Sequence, residues 1–396
     1  VDSPCTKSTW QSPRHFGNMA VIDAAITAFH VSAKLALTGE VLATVRVTKT
    51  DTVAMLCQLI AQATGEASAL KVLLEGRLLD HHQDLASAGV HDDCSVDVVK
   101  DQRLILTASH DGAAKLWRPD GKCLRTFCGH TNAVNAACFS RSGLYVATAS
   151  LDRTAKLWTV QGTCEATLHG HTGSLVSVDF SPDDTLLVTA SSSDNSGRIW
   201  DLERQECKLI LEGYELNSAK FTPDGSKVLT ACSWYDCALL WSVQTGSILQ
   251  RFAPHDAAVL HSCVSHDMST VATATWDGAL MLWWAESGHL RRRLTGFGEK
   301  SKVHVAFSPD DRRVVSAGIN HVAQIWTVHD ESSATPMTLR GHGNTVTSAE
   351  FSADGTWIVT GSYDGTAKIW DSITGNLLQT LKGHSDSVRS VCFSPW

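Results

Sequence analysis

A tryptophan closing a short apolar stretch recurs through most of this chain, at Trp117, Trp158, Trp200, Trp241, Trp283, Trp326 and Trp370, with gaps of 41, 42, 41, 42, 43 and 44 residues. A shared pattern surrounds it: Ala-Lys-Leu-Trp at 114–117 and 155–158, Gly-Arg-Ile-Trp at 197–200, Ala-Lys-Ile-Trp at 367–370. Upstream, a stretch ends at Phe139, Phe180, Phe221, Phe307, Phe351 or Phe393, most often followed by Ser-Pro-Asp or a variant. The spacing fits short strands joined by turns rich in Asp, Gly, Ser and Pro, and no helical period is present. Four short antiparallel strands cannot bury both faces alone. Stacked radially they can, and closing the ring removes the exposed ends of the stack. The expected fold is therefore mainly β, a seven-bladed propeller.

Gly-His pairs at Gly129-His130, Gly170-His171, Gly341-His342 and Gly383-His384, and Trp-Asp at Trp200-Asp201 and Trp370-Asp371, carry a resemblance to the WD40 family over residues 102–396. The resemblance implies a hydrogen-bonded chain of a histidine, a strand hydroxyl, a turn aspartate and the tryptophan in each blade. Carried over by position, the sets are His130, Ser150, Asp152, Trp158; His342, Ser362, Asp364, Trp370; His255, Thr275, Asp277, Trp283; and, with one inserted residue, His171, Ser191, Asp194, Trp200. Such sets look like Ser-His-Asp triads. A buried network that fixes turn geometry explains several copies, whereas an active site needs one. Tyr214 replaces the histidine of the Trp241 blade, and Phe297 and Asn320 replace the histidine and aspartate of the Trp326 blade.

Ring closure follows from two incomplete ends. The stretch before Trp117 lacks a Gly-His element, and residues 387–394 form a strand with no partner after it. The C-terminal strand is expected to complete the Trp117 blade, with His384 joining Ser109, Asp111 and Trp117. The competing first strand of that blade is 96–99.

Residues 34–100 carry another pattern: a strand from Lys34 into a Leu-Thr-Gly turn, a strand over 41–47, a helix over 53–63 capped by Asp51-Thr52, a strand over 70–74 and a last strand over 95–100. With Leu-Leu-Glu-Gly-Arg-Leu-Leu at 73–79 this resembles ubiquitin-like β-grasp domains. The resemblance aligns Leu37, Leu73 and Val99 with ubiquitin's apolar binding patch; packing of the same residues in the domain's own core or on the propeller is the plainer alternative. Lys100-Asp101-Gln102-Arg103 lacks the Arg-Gly-Gly tail of conjugated ubiquitin, which points to a fixed docking module. Residues 1–33 read as an N-terminal extension with a short amphipathic helix over 19–29.

A net charge of −8 argues against nucleic acid as the main partner, since phosphate neutralisation wants a basic face, and Arg291, Arg292 and Arg293 form only one short basic run. No stretch approaches the length of a membrane span. The 12 cysteines include no Cys-x-x-Cys pair, so neither a metal nor a disulfide framework is expected, nor any cofactor. Reduced thiols place the chain in the cytoplasm, with the nucleus as the alternative.

WD40 rings usually bind partners on the face made by the loops between blades and the turns between the second and third strands. The turn residues expected there are His110, Leu151, Ser193, Tyr235, Trp276, Ile319 and Tyr363, more apolar than turn chemistry asks for. The expected function is a non-enzymatic scaffold in a multi-protein complex, the propeller holding one partner protein and the ubiquitin-like domain another, with a link to the ubiquitin pathway in view. A ubiquitin-like domain before a WD40 ring also resembles ribosome-assembly factors, in which Glu40 or Glu75 would dock an ATPase, and a ciliary or centriolar scaffold fits the repeats equally. A propeller enzyme would need one asymmetric catalytic cluster, and the sequence offers none. The cullin-adaptor pattern Trp-Asp-x-Arg is missed by one residue at Trp200-Asp201-Leu202-Glu203-Arg204.

Overall fold

The computed structural model describes residues 28–35, 41–64, 70–74, 77–80, 82–100, 103–213, 215–234, 236–294, 304–318, 320–329 and 335–395. The N-terminal unit contains β1 (Phe29–Leu35), β2 (Val41–Val47), α1 (Val53–Thr64), β3 (Leu70–Leu74), β4 (Arg77–Leu78) and β5 (Cys94–Lys100). They form a five-stranded sheet in the order β2-β1-β5-β3-β4. β1 is antiparallel to β2 and parallel to β5, the arrangement of a β-grasp. Thr52 caps α1, its hydroxyl accepting the Met55 amide at 3.3 Å. The helix buries Val53, Leu56, Cys57 and Ile60 in one cluster with Val31, Ala33, Val72, Val96 and Val98, while Leu59 is only partly buried.

Two expectations about this unit are corrected. The first strand begins at Phe29, ahead of Lys34, because Phe29, Val31 and Ala33 alternate into the core and pair with β2 and β5. Phe29 therefore does not end a helix; residues 19–27 of the expected helix lie outside the described residues. Residues 96–99 belong to β5 and not to the propeller. Among the described residues, no helix is long and apolar enough to cross a membrane.

The rest of the described chain forms seven four-stranded antiparallel sheets. We letter the strands of each blade a to d outward from the ring axis and name each blade by its tryptophan. Strand a of each blade packs on strand a of the next, from Val134–Phe139 through Leu175–Phe180, Leu216–Phe221, Val259–Val264, His304–Phe307 and Val346–Phe351 to Val388–Phe393, which returns to Val134–Phe139. Burial follows position. The b strand Ile105–Ser109 is buried throughout, whereas the d strand Cys123–Cys128 buries only Phe127. An inner strand covered on both faces reads as a continuous apolar run, and an outer strand with one wet face does not.

The blade tryptophans are 1–5% exposed. They explain the Gly-His pairs. A Cβ on Gly341 would sit 3.1 Å from the Trp370 ring, and one on Gly383 3.0 Å from Trp117, while both backbones have positive φ (+154° and +151°). Only glycine meets both demands.

The Trp117 blade takes its strand a from the far end of the chain. Val388–Phe393 pairs antiparallel with Ile105–Ser109, matching Val391 with Thr107 and Phe393 with Ile105. Reciprocal bonds between Leu104 N and Ser394 Oγ (3.0 Å) and between Ser394 N and the Leu104 carbonyl (2.8 Å) finish the seam. Arg103 ion-pairs with Asp354 and lies over the Trp357 ring at 4.2 Å, which ties the residue before the first propeller strand to the Trp370 blade.

Candidate functional site

In the Trp158 blade, Trp158 Nε1 donates to Thr148 Oγ1 (2.9 Å), that hydroxyl lies 2.7 Å from His130 Nε2, and His130 Nδ1 lies 2.8 Å from Asp152 Oδ2. The same chain runs Trp200, Thr189, His171, Asp194 and Trp370, Thr360, His342, Asp364. It also crosses the ring seam, from Trp117 through Thr107 to His384 and Asp111, each contact 2.7–2.8 Å.

The hydroxyl in each chain is therefore Thr148, Thr189, Thr360 or Thr107, and not Ser150, Ser191, Ser362 or Ser109 as expected. The serines have another task. Ser150 Oγ accepts the Asp152 amide (3.0 Å) and donates to the Asn132 carbonyl (3.2 Å), with Ser362 and Ser109 acting alike on Asp364 and Asp111. They hold the turn, while the threonines hold the tryptophan. The Trp283 set is corrected further. His255 Nε2 meets Thr273, not Thr275, and its Nδ1 meets the Asp236 carbonyl of the preceding blade at 2.8 Å. Asp277 pairs instead with Arg293 at 3.3 Å.

Direction fixes protonation. An ionised aspartate can only accept, so Nδ1 carries the ring proton, and in a neutral ring Nε2 then accepts from the threonine hydroxyl, whose oxygen takes the indole N–H. Burial agrees, lowering the pKa of His130, His171, His255, His342 and His384 despite the nearby aspartates. Burial alone would raise the Asp152 carboxyl, but hydrogen bonds from Thr154, His130 and the Thr131 amide outweigh it and leave it at about 2. These threonines are 0–1% exposed, so no substrate reaches them. The sets are structural.

A pH dependence follows. Below their ordinary value of 6.5 the histidines bind protons in the unfolded chain but resist them in the folded one, so stability falls as pH drops. The melting temperature is expected to decline from pH ~7 to pH ~5, before the aspartates, whose contribution is lost only toward pH ~2, begin to matter. Thermal melts across that range check this; a flat or rising profile would show histidines charged in the native state.

The Trp241 blade keeps the indole bond to Thr230 (2.8 Å) but has cysteines where other blades place their turn hydroxyls. Cys232 and Cys237 face each other at the end of strands b and c. Their thiols hydrogen-bond, which raises Cys232 and lowers Cys237. Trp326 donates to Ser316 at 3.2 Å, the longest of these indole bonds. Every cysteine among the described residues is a free thiol, and no group of three or more His, Cys, Asp or Glu among them could hold a metal.

A cavity of about 620 Å³ runs inside the ring of a strands. Lys220 lies 3.8 Å from Asp179 there, and the rings of His261 and His304 stack at 3.9 Å. Burial raises Glu350 to about 7 against the pull of Lys220, and lowers His304 to about 3. Sequence reading passed over this set, although one signal was present: Asp179, Lys220 and Glu350 each stand one residue before a strand-ending phenylalanine, where other repeats have cysteine or alanine.

On the face made by the b–c turns, Trp276 is 41% exposed, Ser193 is exposed, and His110 and Leu151 are half-buried. Tyr363 is half-buried as well, with Arg389 stacked on its ring at 5.2 Å and donating to its hydroxyl. Tyr235 and Ile319 lie outside the described residues. Trp234, missed from sequence, is 70% exposed. Its blade has one extra turn residue, and alignment counted past it. Leu37 lies outside the described residues; Leu73 and Val99 fall at register positions alternating with the buried Val72 and Val98 of β3 and β5.

A family model for the WD domain, G-beta repeat, matches residues 121–159, 162–201, 246–283, 288–327, 334–371 and 375–396, and the chain belongs to this WD40 repeat family. A ubiquitin-family model matches residues 34–103. The stretch between the second and third WD matches, 202–245, contains the Trp241 blade with its cysteine pair in place of the histidine network. The chain is 29% identical over 155 residues to Autophagy-related protein 16 of Arabidopsis thaliana, covering 39% of this chain and 30% of that protein. It is 33% identical over 156 residues to Ribosome biogenesis protein WDR12 homolog of Nematostella vectensis (38% and 36%). With Target of rapamycin complex subunit wat1 of Schizosaccharomyces pombe it shares 30% over 125 residues (32% and 39%). The matched regions thus span under two fifths of each relative's length. WD40 and ubiquitin-like modules typically serve as non-catalytic interaction scaffolds.

Proposed function

We propose that this protein is a non-enzymatic adaptor whose b–c turn face grips one partner protein or peptide while the ubiquitin-like domain docks a second. The observation that carries this reading is the exposure of Trp276 and Trp234, at 41% and 70%, on turns where small polar residues are the norm. Indoles bury large areas with few rotors to freeze, so they dominate protein interfaces. Membership of a multi-protein complex in the cytoplasm or nucleus is part of the same reading, and the ubiquitin pathway is one setting for it. A second setting, ribosome assembly, draws support from the order of the two modules and from the likeness to the WDR12 homolog. Glu40 and Glu75, the ATPase-docking candidates under that alternative, lie outside the described residues.

Affinity capture with the wild type and a Trp234→Ala, Trp276→Ala variant tests the face. Loss of one group of partners with retention of those held by the N-terminal domain is expected. Equal recovery of every partner would mean that the face is wrong.

A further inference from the structure

The two exposed tryptophans stand on neighbouring turns that the structure ties together. Asn217 Nδ2 donates both to Ser233 Oγ, beside Trp234, and to the Val259 carbonyl at 2.9 Å, beside the Ala258 carbonyl that accepts the Trp276 amide. His255 clasps the Asp236 carbonyl at the end of the Trp234 turn. In the other complete sets the histidine Nδ1 meets its own blade's aspartate, so this contact leaves Asp277 without that bond. Asp277, no longer bonded to a histidine, stands beside Trp276 and shares the Arg293 guanidinium with Asp256, which is 67% exposed. Glu215, whose carbonyl accepts the Ser233 amide, and Asp236 contribute two more carboxylates, neither with an ion-pair partner among the described residues. Among the described residues, the cations nearby are Arg293 and, on strand d, Arg251; burial lowers the pKa of His255 and favours its neutral form. Among the described residues, four carboxylates (Glu215, Asp236, Asp256 and Asp277) thus stand with two arginines on and beside the turns of an exposed indole pair.

Resting on the docking role proposed above, we infer that the Trp234 and Trp276 turns form a notch for a lysine or arginine side chain on a flexible basic segment of the partner. An indole face attracts a cation through its quadrupole, and surrounding carboxylates add attraction that salt weakens. An acidic segment meets repulsion from the same carboxylates. A purely apolar one leaves Glu215 and Asp236 with their desolvation uncompensated.

The test uses the full chain and fluorescein-labelled peptides of alternating glycine and lysine, with glutamate and leucine analogues as controls, read by anisotropy. The lysine peptide is expected to bind more tightly than either control, to weaken as salt is raised, and to lose roughly five- to tenfold in affinity in Trp234→Ala and in Trp276→Ala, with partial recovery in the phenylalanine variants. Glu215→Gln with Asp256→Asn should weaken it without touching an aromatic ring. Equal binding of the three peptides, or lysine-peptide binding indifferent to both tryptophans, overturns the inference. If the tryptophan variants lose captured partners while the lysine peptide shows no preference, the face stands and its basic ligand falls. Both tryptophans are exposed, so matched melting temperatures separate lost binding from lost fold.

Discussion

Removing residues 384–396 is expected to unfold the propeller cooperatively rather than to fray one edge. Those residues supply the whole inner strand of the Trp117 blade, with Val388, Val391, Cys392 and Phe393 buried at 0–7% exposure. Burying a side chain of that kind contributes about 1.5–3 kcal/mol, so the strand withdraws on the order of 6–12 kcal/mol, comparable to the whole stability of a typical domain. The loss is not confined to one blade. Strand Val388–Phe393 also packs on Val346–Phe351 and on Val134–Phe139, so its absence opens both neighbours and leaves unpaired edges. Removing His384 also frees Asp111 and strips Thr107 of its acceptor. Circular dichroism melts and size exclusion of the truncated chain check this. An unchanged, sharp transition would show that the ring stands without its seam. His384→Ala should lower the melting temperature without opening the ring, since the strand pairing survives.

The propeller was legible because its tryptophans are fixed points: all seven are buried, and Trp117, Trp158, Trp200 and Trp370 pack against the glycine of a Gly-His pair, which holds the spacing nearly constant. The identity of the network hydroxyl was misread for a geometric reason. Trp158 pairs opposite Val146, so Thr148 is its diagonal neighbour on the same face, within reach of an indole, whereas Ser150 lies two residues farther along. At ~3.4 Å per residue that is ~7 Å too far. A signal was present, since Thr107, Thr148, Thr189, Thr230, Thr273, Ser316 and Thr360 give all seven blades a hydroxyl, while the Ser150 position becomes Cys232 and Gly318 elsewhere. The start of β1 was missed because the apolar residues before it suit a helix equally well, and only the parallel pairing with β5, some sixty residues on, decides for a strand. The binding face was legible as a set of turns, but aligning the Trp241 blade on Asp236 picked out Tyr235, whereas counting seven residues back from the tryptophan, as Trp276 stands from Trp283, reaches Trp234.

The charged set inside the ring supplies the other large effect. Lys220 is 3.8 Å from Asp179, whose carboxylate also accepts the Phe221 amide at 2.9 Å. Burial still raises Asp179 above its ordinary value and lifts Glu350 to about 7, so both carboxylates depend on the one cation. Lys220→Met removes it and leaves negative charge in a poorly solvated channel. Breaking a fully enclosed pair costs about 3–5 kcal/mol; with Lys220 and Asp179 32% and 20% exposed, channel water reduces this to about 1–3 kcal/mol. The sign with pH is specific. Without the cation the folded carboxylates hold protons more tightly than the unfolded ones do, so acid stabilises the variant relative to the wild type. The deficit in melting temperature should therefore be largest above pH ~7 and shrink toward pH ~5, even though the histidine networks lower both proteins over that range. Glu350→Gln in the Lys220→Met background should recover part of the loss at neutral pH, because it removes one of the stranded charges without changing the side chain's shape. A deficit independent of pH, with no recovery from Glu350→Gln, would mean that Lys220 stabilises the ring through its packing alone and that the carboxylates are solvated well enough to stand without it.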